Sequence, residues 1–321
     1  MSSKTKYRIL CASERSIPIF ARDWWLDVVC GDVNWDVAIV ERGDIIVASL
    51  PFTKRTKNGV TILGQPQLTQ ALGPWIRDLG IETNGANRLG YEKKVYTALI
   101  EALPSYQIFK QSWHASKTNW LPFYWKGFGQ TTLYTYQLFN LENFDQLYAD
   151  MRSNVRGDIK KAVTRFGVRL KDNPTIDDFL KLNQKTYDRQ GIANPESEQL
   201  IRNVFIAVKA RNSGALFIAE DEAGEMHAGA FIVWDDSCAY YLMGGGDPEL
   251  RKSGATSFCL WEAIKFASSV SRSFDFEGSM IEPIERYFRA FGAIQVPYFE
   301  IRSVNSKWVK TYLFAQSLLK K

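Results

Sequence analysis

Histidine is almost missing from this 321-residue chain: His114 and His227 are the only two. Cysteine is scarce as well, and Cys11, Cys30, Cys238 and Cys259 show no C-x-x-C spacing. Together these shortages exclude a zinc-type ligand set and leave the thiols as reduced, mostly buried side chains. The chain has no run of ~18 apolar residues, so no membrane-spanning helix is expected. Glu14 and Arg15 stand where the apolar core of a secretory signal would run, and the expected location is the cytoplasm. The charge is not lopsided either. Forty basic against 35 acidic residues leave a net +5, which suits an anionic small molecule without requiring nucleic acid.

What is present is apolar and aromatic: 45 % of the chain is hydrophobic, and Phe, Trp and Tyr alone make up 14 % of the chain. At this length two domains are expected, 1–140 and 141–321, parted near Asn140 where a strand-and-loop pattern turns helical. The C-terminal part is the more readable. "GALFIAEDE", "MHAGAFIVWDD" and "CAYYLMGGG" form a three-strand meander. The helix "ATSFCLWEAIKFASS", the strand "SFDFEG", the helix "PIERYFRAFG" and the strand "QVPYFEIRS" follow, giving the order β-β-β-α-β-α-β of a mixed α/β sheet. Helices over "NFDQLYADM", "SNVRGDIKKAVTRFG", "TIDDFLKLNQKTYDRQG" and "ESEQLIRNVFIAVKARNSG" lead into it. The first third holds a hairpin around Arg42-Gly43-Asp44, the helix "YEKKVYTALIEAL" and two strands, a shorter version of the same order.

One loop has the chemistry of an anion site. In "GGGDPELRKSGATS", Gly244, Gly245 and Gly246 follow a strand, and Arg251, Lys252, Ser253, Gly254 and Ala255 open a helix, with Ser253 as its cap. Unpaired amides at a helix start attract phosphate, glycine admits a close backbone approach, and arginine adds a charge-assisted bond. Such a loop describes a pyrophosphate site.

The stretch from "RSNVRGDIKKA" through "LMGGGDPELRKSGATSFCLWEAIKFA" to "FDFEGSMIEPIERYFRAFGAIQVPYFEI" resembles the FemAB-like branch of the GNAT acyltransferases, and "DWWLDVV", "VASLPF" and "QPQLTQALGPWI" resemble its N-terminal part. Arg251 and Gly254 match the Arg/Gln-x-x-Gly-x-Gly/Ala turn that grips coenzyme A in that superfamily, while Thr256 stands where the turn has Gly or Ala. The resemblance implies two tandem GNAT-like domains and transfer of an acyl or aminoacyl group to an amine. Acyl-coenzyme A is the implied donor and aminoacyl-tRNA its alternative, as in relatives that build peptidoglycan cross-bridges. The implied acceptor is an amine on a sugar or peptide precursor of the cell envelope. Outside enzymes, a nucleic-acid or partner-binding module that kept the fold is the rival.

Amine transfer requires a proton acceptor, alignment, and stabilisation of the tetrahedral oxygen. Asp275 and Glu277 alternate with Phe274 and Phe276, so in a strand the rings enter the core and both carboxylates face a cleft. They are the expected ammonium-holding or basic pair, unless Arg286 or Arg289 on the next helix neutralises them. Those arginines and Ser279 are otherwise assigned to substrate. Of Tyr240 and Tyr241 one points to the core and one to the cleft; Tyr241 is expected as a proton donor and Tyr240 as a substrate contact. Arg156 and Lys160, four apart on a basic helix that also carries Arg152, are expected to meet an anionic acceptor or tRNA. His227, after a turn at a strand start, is expected on the surface.

Overall fold

The computed structural model describes residues 1–78, 80, 85–278 and 280–319. The chain forms two compact units, Met1–Leu133 with Pro297–Lys321, and Tyr134–Val296. The boundary expected after residue 140 therefore lies inside the second unit, and the C-terminal segment groups with the first.

The first unit opens with α1 (Ser3–Ser13), capped by Ser2 Oγ on the Thr5 amide and burying Tyr7, Leu10 and Cys11. The sequence reading weighed this stretch only as a targeting signal and missed the helix. Then come α2 (Asp23–Cys30), β1 (Trp35–Arg42), β2 (Ile45–Lys57), β3 (Val60–Gly64), β4 (Trp75–Ile76), α3 (Gly85–Glu101), β5 (Ile108–Ser112) and α4 (Leu121–Trp125). Arg42 pairs with Ile45 across the expected hairpin, whose Gly43 has φ 59°. The chain leaves the unit within β6 (Gly129–Phe139).

The second unit contains α5 (Phe144–Asp150), α6 (Ser153–Phe166), β7 (Arg169–Leu170), α7 (Ile176–Gln190), α8 (Glu198–Lys209), β8 (Gly214–Glu220), β9 (Met226–Trp234), β10 (Cys238–Gly246), α9 (Ala255–Ala267), β11 (Ser273–Asp275) and α10 (Glu282–Arg289). The helix boundaries follow local chemistry. Thr175 and Asp178 form a capping box at the start of α7, and left-handed Gly167 and Gly191 end α6 and α7. Finally β12 (Ile294–Val304) returns to the first unit, followed by α11 (Lys307–Leu319).

Each unit repeats one strand plan. In the second, β8, β9 and β10 form an antiparallel meander, β11 pairs parallel with β10, and β6 closes antiparallel on β11. In the first, β1, β2 and β3 are antiparallel, β5 pairs parallel with β3, and β12 closes antiparallel on β5. The chain is thus mixed α/β with the same topology twice. The strand "QVPYFEIRS", expected to complete the C-terminal order, instead pairs from Glu300 onward with β5, whereas β11 is closed by a strand from more than a hundred residues upstream. The core of the second unit lies where α9 and α10 cover β8–β11, with Phe258, Ile264, Phe274, Phe276 and Phe291 buried in it.

Candidate active site

β10 and β11 stay together for only three residue pairs, Cys238–Tyr240 against Ser273–Asp275. Beyond them β10 runs on to Gly246, while Phe276 gives its amide to the Tyr136 carbonyl at 3.0 Å and follows β6. The parting opens a cavity of about 570 Å³. Tyr241 and Gly244–Gly246 line one wall, Pro283, Ile284, Tyr287 and Phe288 of α10 another, and Arg251, Gly254, Thr256 and Ser257 the start of α9.

The three glycines lie in the strand rather than after it. A Cβ on Gly244 would overlap the Tyr241 hydroxyl, so the missing side chain lets that phenol lie back along the strand. A Cβ on Gly245 would stand 2.5 Å from the Asn183 amide nitrogen, because α7 packs directly on the opposite face. The two tyrosines now separate. Tyr240 is 1 % exposed and pairs in register with Asp275, while half-buried Tyr241 lines the cavity. Tyr240 is therefore core and has no access to substrate. Burial raises the Tyr241 phenol well above its usual value, so it stays protonated at neutral pH.

At the start of α9, Arg251–Ser253 make one 3-10 turn and Gly254, with φ 81°, occupies the cap position expected for Ser253. A side chain at Gly254 would strike the Asp158 carbonyl of α6. Ser253 Oγ accepts the Ala255 amide at 3.2 Å, but the amides of Thr256 and Ser257 have no partner among the described residues, as expected of the second and third helical positions. Arg251 is exposed and forms no ion pair among the described residues. Two of the loop assignments are corrected: Ser253 and Ala255, both 2 % exposed, face inward, so neither can touch a ligand directly. Lys252 is exposed but is not part of the cavity lining. His227 also departs from expectation. It is buried, with Nδ1 2.9 Å from Ser253 Oγ and Nε2 3.2 Å from Asp221, and so braces the turn from below.

The acidic corner behaves differently. Phe274 and Phe276 enter the core as the alternation predicts, but the carboxylates do not line the cavity. Asp275 is 5 % exposed and accepts from Thr135 Oγ1, from Gln137 Nε2 at 2.7 Å and from the Glu277 amide at 2.7 Å. Burial raises its pKa and those three donors oppose the rise. Glu277 has φ 58°, which breaks the strand alternation, and its carboxyl is pushed well above the usual range, first by burial and then by the Asp275 charge. Ser279 lies outside the described residues. Arg286 pairs with Glu282 at 3.6 Å and Arg289 with Glu285 at 2.7 Å, so neither clamps a ligand in this cavity and neither neutralises Asp275. Arg156 is committed to backbone, donating from one nitrogen to the carbonyls of Ala149 (2.6 Å) and Met151 (2.8 Å), and Lys160 is exposed outside the lining. Sequence reasoning missed Thr186, Arg189, Ser257 and Tyr287, all of which line the cavity. Their only signal is helical spacing on α7, α9 and α10, which has no meaning until the cavity is located.

Residues 149–289 match the model of an acetyltransferase (GNAT) domain, a span that contains β10, the α9 turn and the whole cavity lining. No curated protein matches the chain. Among solved structures, FemX aligns over 93 % of this chain and 96 % of its own at 13 % identity, with a TM-score of 0.67. A conserved protein of unknown function from Bacteroides thetaiotaomicron covers 94 % and 97 % at 10 % identity (TM-score 0.57), and L-PGS from Bacillus licheniformis 100 % and 98 % at 10 % identity (TM-score 0.55). At such identities these likenesses speak to fold, and they extend over both units. The matched domain, its cleft between parting strands and the duplicated strand plan give the chain a GNAT acetyltransferase domain over residues 149–289 and the overall fold of FemX.

Proposed function

We propose that the chain transfers an acyl group from a coenzyme A thioester to a primary amine, with the donor held in the cavity between β10 and α10. The observation that carries this reading is that Thr256 and Ser257, whose amides have no partner among the described residues, line that cavity together with Arg251, which has no ion pair among them. A diphosphate satisfies all three at once. The apolar wall of Pro283, Ile284 and Phe288 suits the pantetheine arm.

In this reading the neutral amine attacks the thioester carbonyl, forming the C–N bond and a tetrahedral oxyanion; the C–S bond then breaks. The Tyr241 hydroxyl, kept protonated by burial, hands its proton to the departing thiolate. The amine's surplus proton leaves to water and Tyr241 is reprotonated from the same source. Asp158 is the one carboxylate among the described lining residues, and Lys161 holds it at 2.6 Å, so the amine proton is not routed through it. The acceptor follows from the family resemblance: an amine on a sugar or peptide precursor of the cell envelope. Aminoacyl-tRNA is the less favoured donor, because Arg156 on the basic helix is already spent on two backbone carbonyls.

Arg251→Ala tests the reading. A charge-assisted hydrogen bond contributes roughly 1.5–3 kcal/mol, so acetyl-coenzyme A should bind about ten- to a hundredfold more weakly with an unchanged melting curve. If acyl-coenzyme A neither binds nor stabilises the wild-type chain, the donor assignment is wrong.

A further inference from the structure

A second arginine without an ion pair among the described residues lines the cavity, and the way α7 is seated explains why it is there. Without a Cβ at Gly245, α7 lies against the end of β10. Asn183 Nδ2 donates to the Gly244 carbonyl at 2.8 Å, and Thr186 Oγ1 accepts the Gly246 amide at 3.0 Å. Lys185 is ion-paired with Asp247. Residues 183, 186 and 189 follow one another at i, i+3 spacing along a single stripe of the helix. The first two are used to lock helix to strand, and the third, Arg189, lines the cavity, exposed and with no ion pair among the described residues. Arg251 reaches the same cavity from the α9 turn.

We infer that Arg189 is a second donor-binding cation, which with Arg251 selects a donor carrying a polyphosphate rather than a singly charged carrier. This rests on the donor assignment above. Two guanidiniums contributed by different elements to one cavity, neither in an ion pair among the described residues, outweigh the single lining carboxylate, Asp158, which Lys161 already holds, and an anion bearing several charges supplies what they lack. Because Asn183 and Thr186 fix α7 to the strand that carries Tyr241, the same contact sets the distance between the phosphate end and the acyl end of the donor.

The test is calorimetric titration of wild type, Arg189→Gln, Arg189→Lys and Arg251→Ala with coenzyme A, and with inorganic pyrophosphate as competitor. Arg189→Gln should weaken coenzyme A about tenfold or more, and pyrophosphate should compete less well, at an unchanged melting temperature. Arg189→Lys should recover part of the loss, since it keeps the charge and loses the fork. In steady-state assays the KM for the donor rises while the KM for the amine stays put. Unchanged coenzyme A affinity in Arg189→Gln, beside a clear loss in Arg251→Ala, overturns this inference and leaves the donor site standing. A rise in the amine KM alone would move Arg189 to the acceptor, which also overturns it. Failure of the wild type to bind coenzyme A removes both readings together.

Discussion

Two stretches border the place where β10 and β11 part, and they handle polar groups in opposite ways. In the acidic corner Asp275 is sealed by Thr135, Gln137 and the Glu277 amide, while Arg286 and Arg289 on the next helix are matched by Glu282 and Glu285. At the glycine-rich end of β10 and the start of α9, Thr256 and Ser257, whose amides have no partner among the described residues, and Arg251, without an ion pair among them, line a cavity. The corner is the conspicuous one in sequence, crowded with rings and charges. The one proposed to hold the donor is built largely of glycine and backbone. Charge that the fold satisfies internally is structure; donors that it leaves open beside a cavity are what a ligand meets.

The sharpest way to break this contrast is Gly245→Ala. Its Cβ would meet backbone atoms of Leu182 and Asn183 at 2.6 and 2.5 Å, and a helix backbone cannot rotate away as a side chain can. Overpacking of this kind costs ~1–3 kcal/mol or more, and pushing α7 outward should also break the Asn183 and Thr186 contacts. A urea melt together with coenzyme A titration should show both losses; a melt like that of wild type would mean that α7 yields freely.

Asp275→Asn comes next. The amide nitrogen faces donors it cannot accept from, so the variant should lose roughly 1–3 kcal/mol of stability while the folded fraction keeps its kcat. A fall in kcat of about 10²–10⁴ with an unchanged melt would reverse the comparison and make this carboxylate a general base.

Glu277→Gln sharpens the same point through pH. The carboxyls of Glu277 and Asp275 are raised in the folded chain, so the folded state holds more protons than the unfolded one. Stability therefore falls as pH climbs from the ordinary carboxylate range through the raised folded values. The neutral Gln should flatten that slope and raise the melting temperature at neutral pH; a steeper slope would contradict the burial argument. Smallest of all is Arg286→Ala. An exposed i, i+4 pair is worth within ~0.5 kcal/mol, and neither melting nor donor KM should move measurably.

Much of the second unit could be read along the chain because its information is local. The alternation in "FDFEG" put Phe274 and Phe276 in the core, the glycine closing "TIDDFLKLNQKTYDRQG" stopped α7 at Gly191, although α8 ends at Lys209 and the Gly214 that closes its sequence pattern begins β8, and the "RKSGATS" turn marked a helix start that lines a cavity. The resemblance to the GNAT superfamily was carried by that turn together with longer stretches on either side, and a GNAT domain model matches residues 149–289. His227 and Ser253 were misjudged because each is partnered by a residue whose direction depends on how three elements meet.

What the sequence determined by itself was therefore periodic and near-neighbour: which faces are apolar, where helices begin and end, and that the chain carries a phosphate-type turn. Pairings across long separations were decided only in the folded chain. Thr135 and Gln137 neutralise the demand of Asp275 from 140 and 138 positions away, β6 rather than the following strand closes on β11, and α7 delivers Arg189 to the cavity because Gly245 has no side chain to hold it off. A side chain's role follows from what surrounds it after folding, and for a buried charge those surroundings are contributed by distant segments whose register no local pattern encodes.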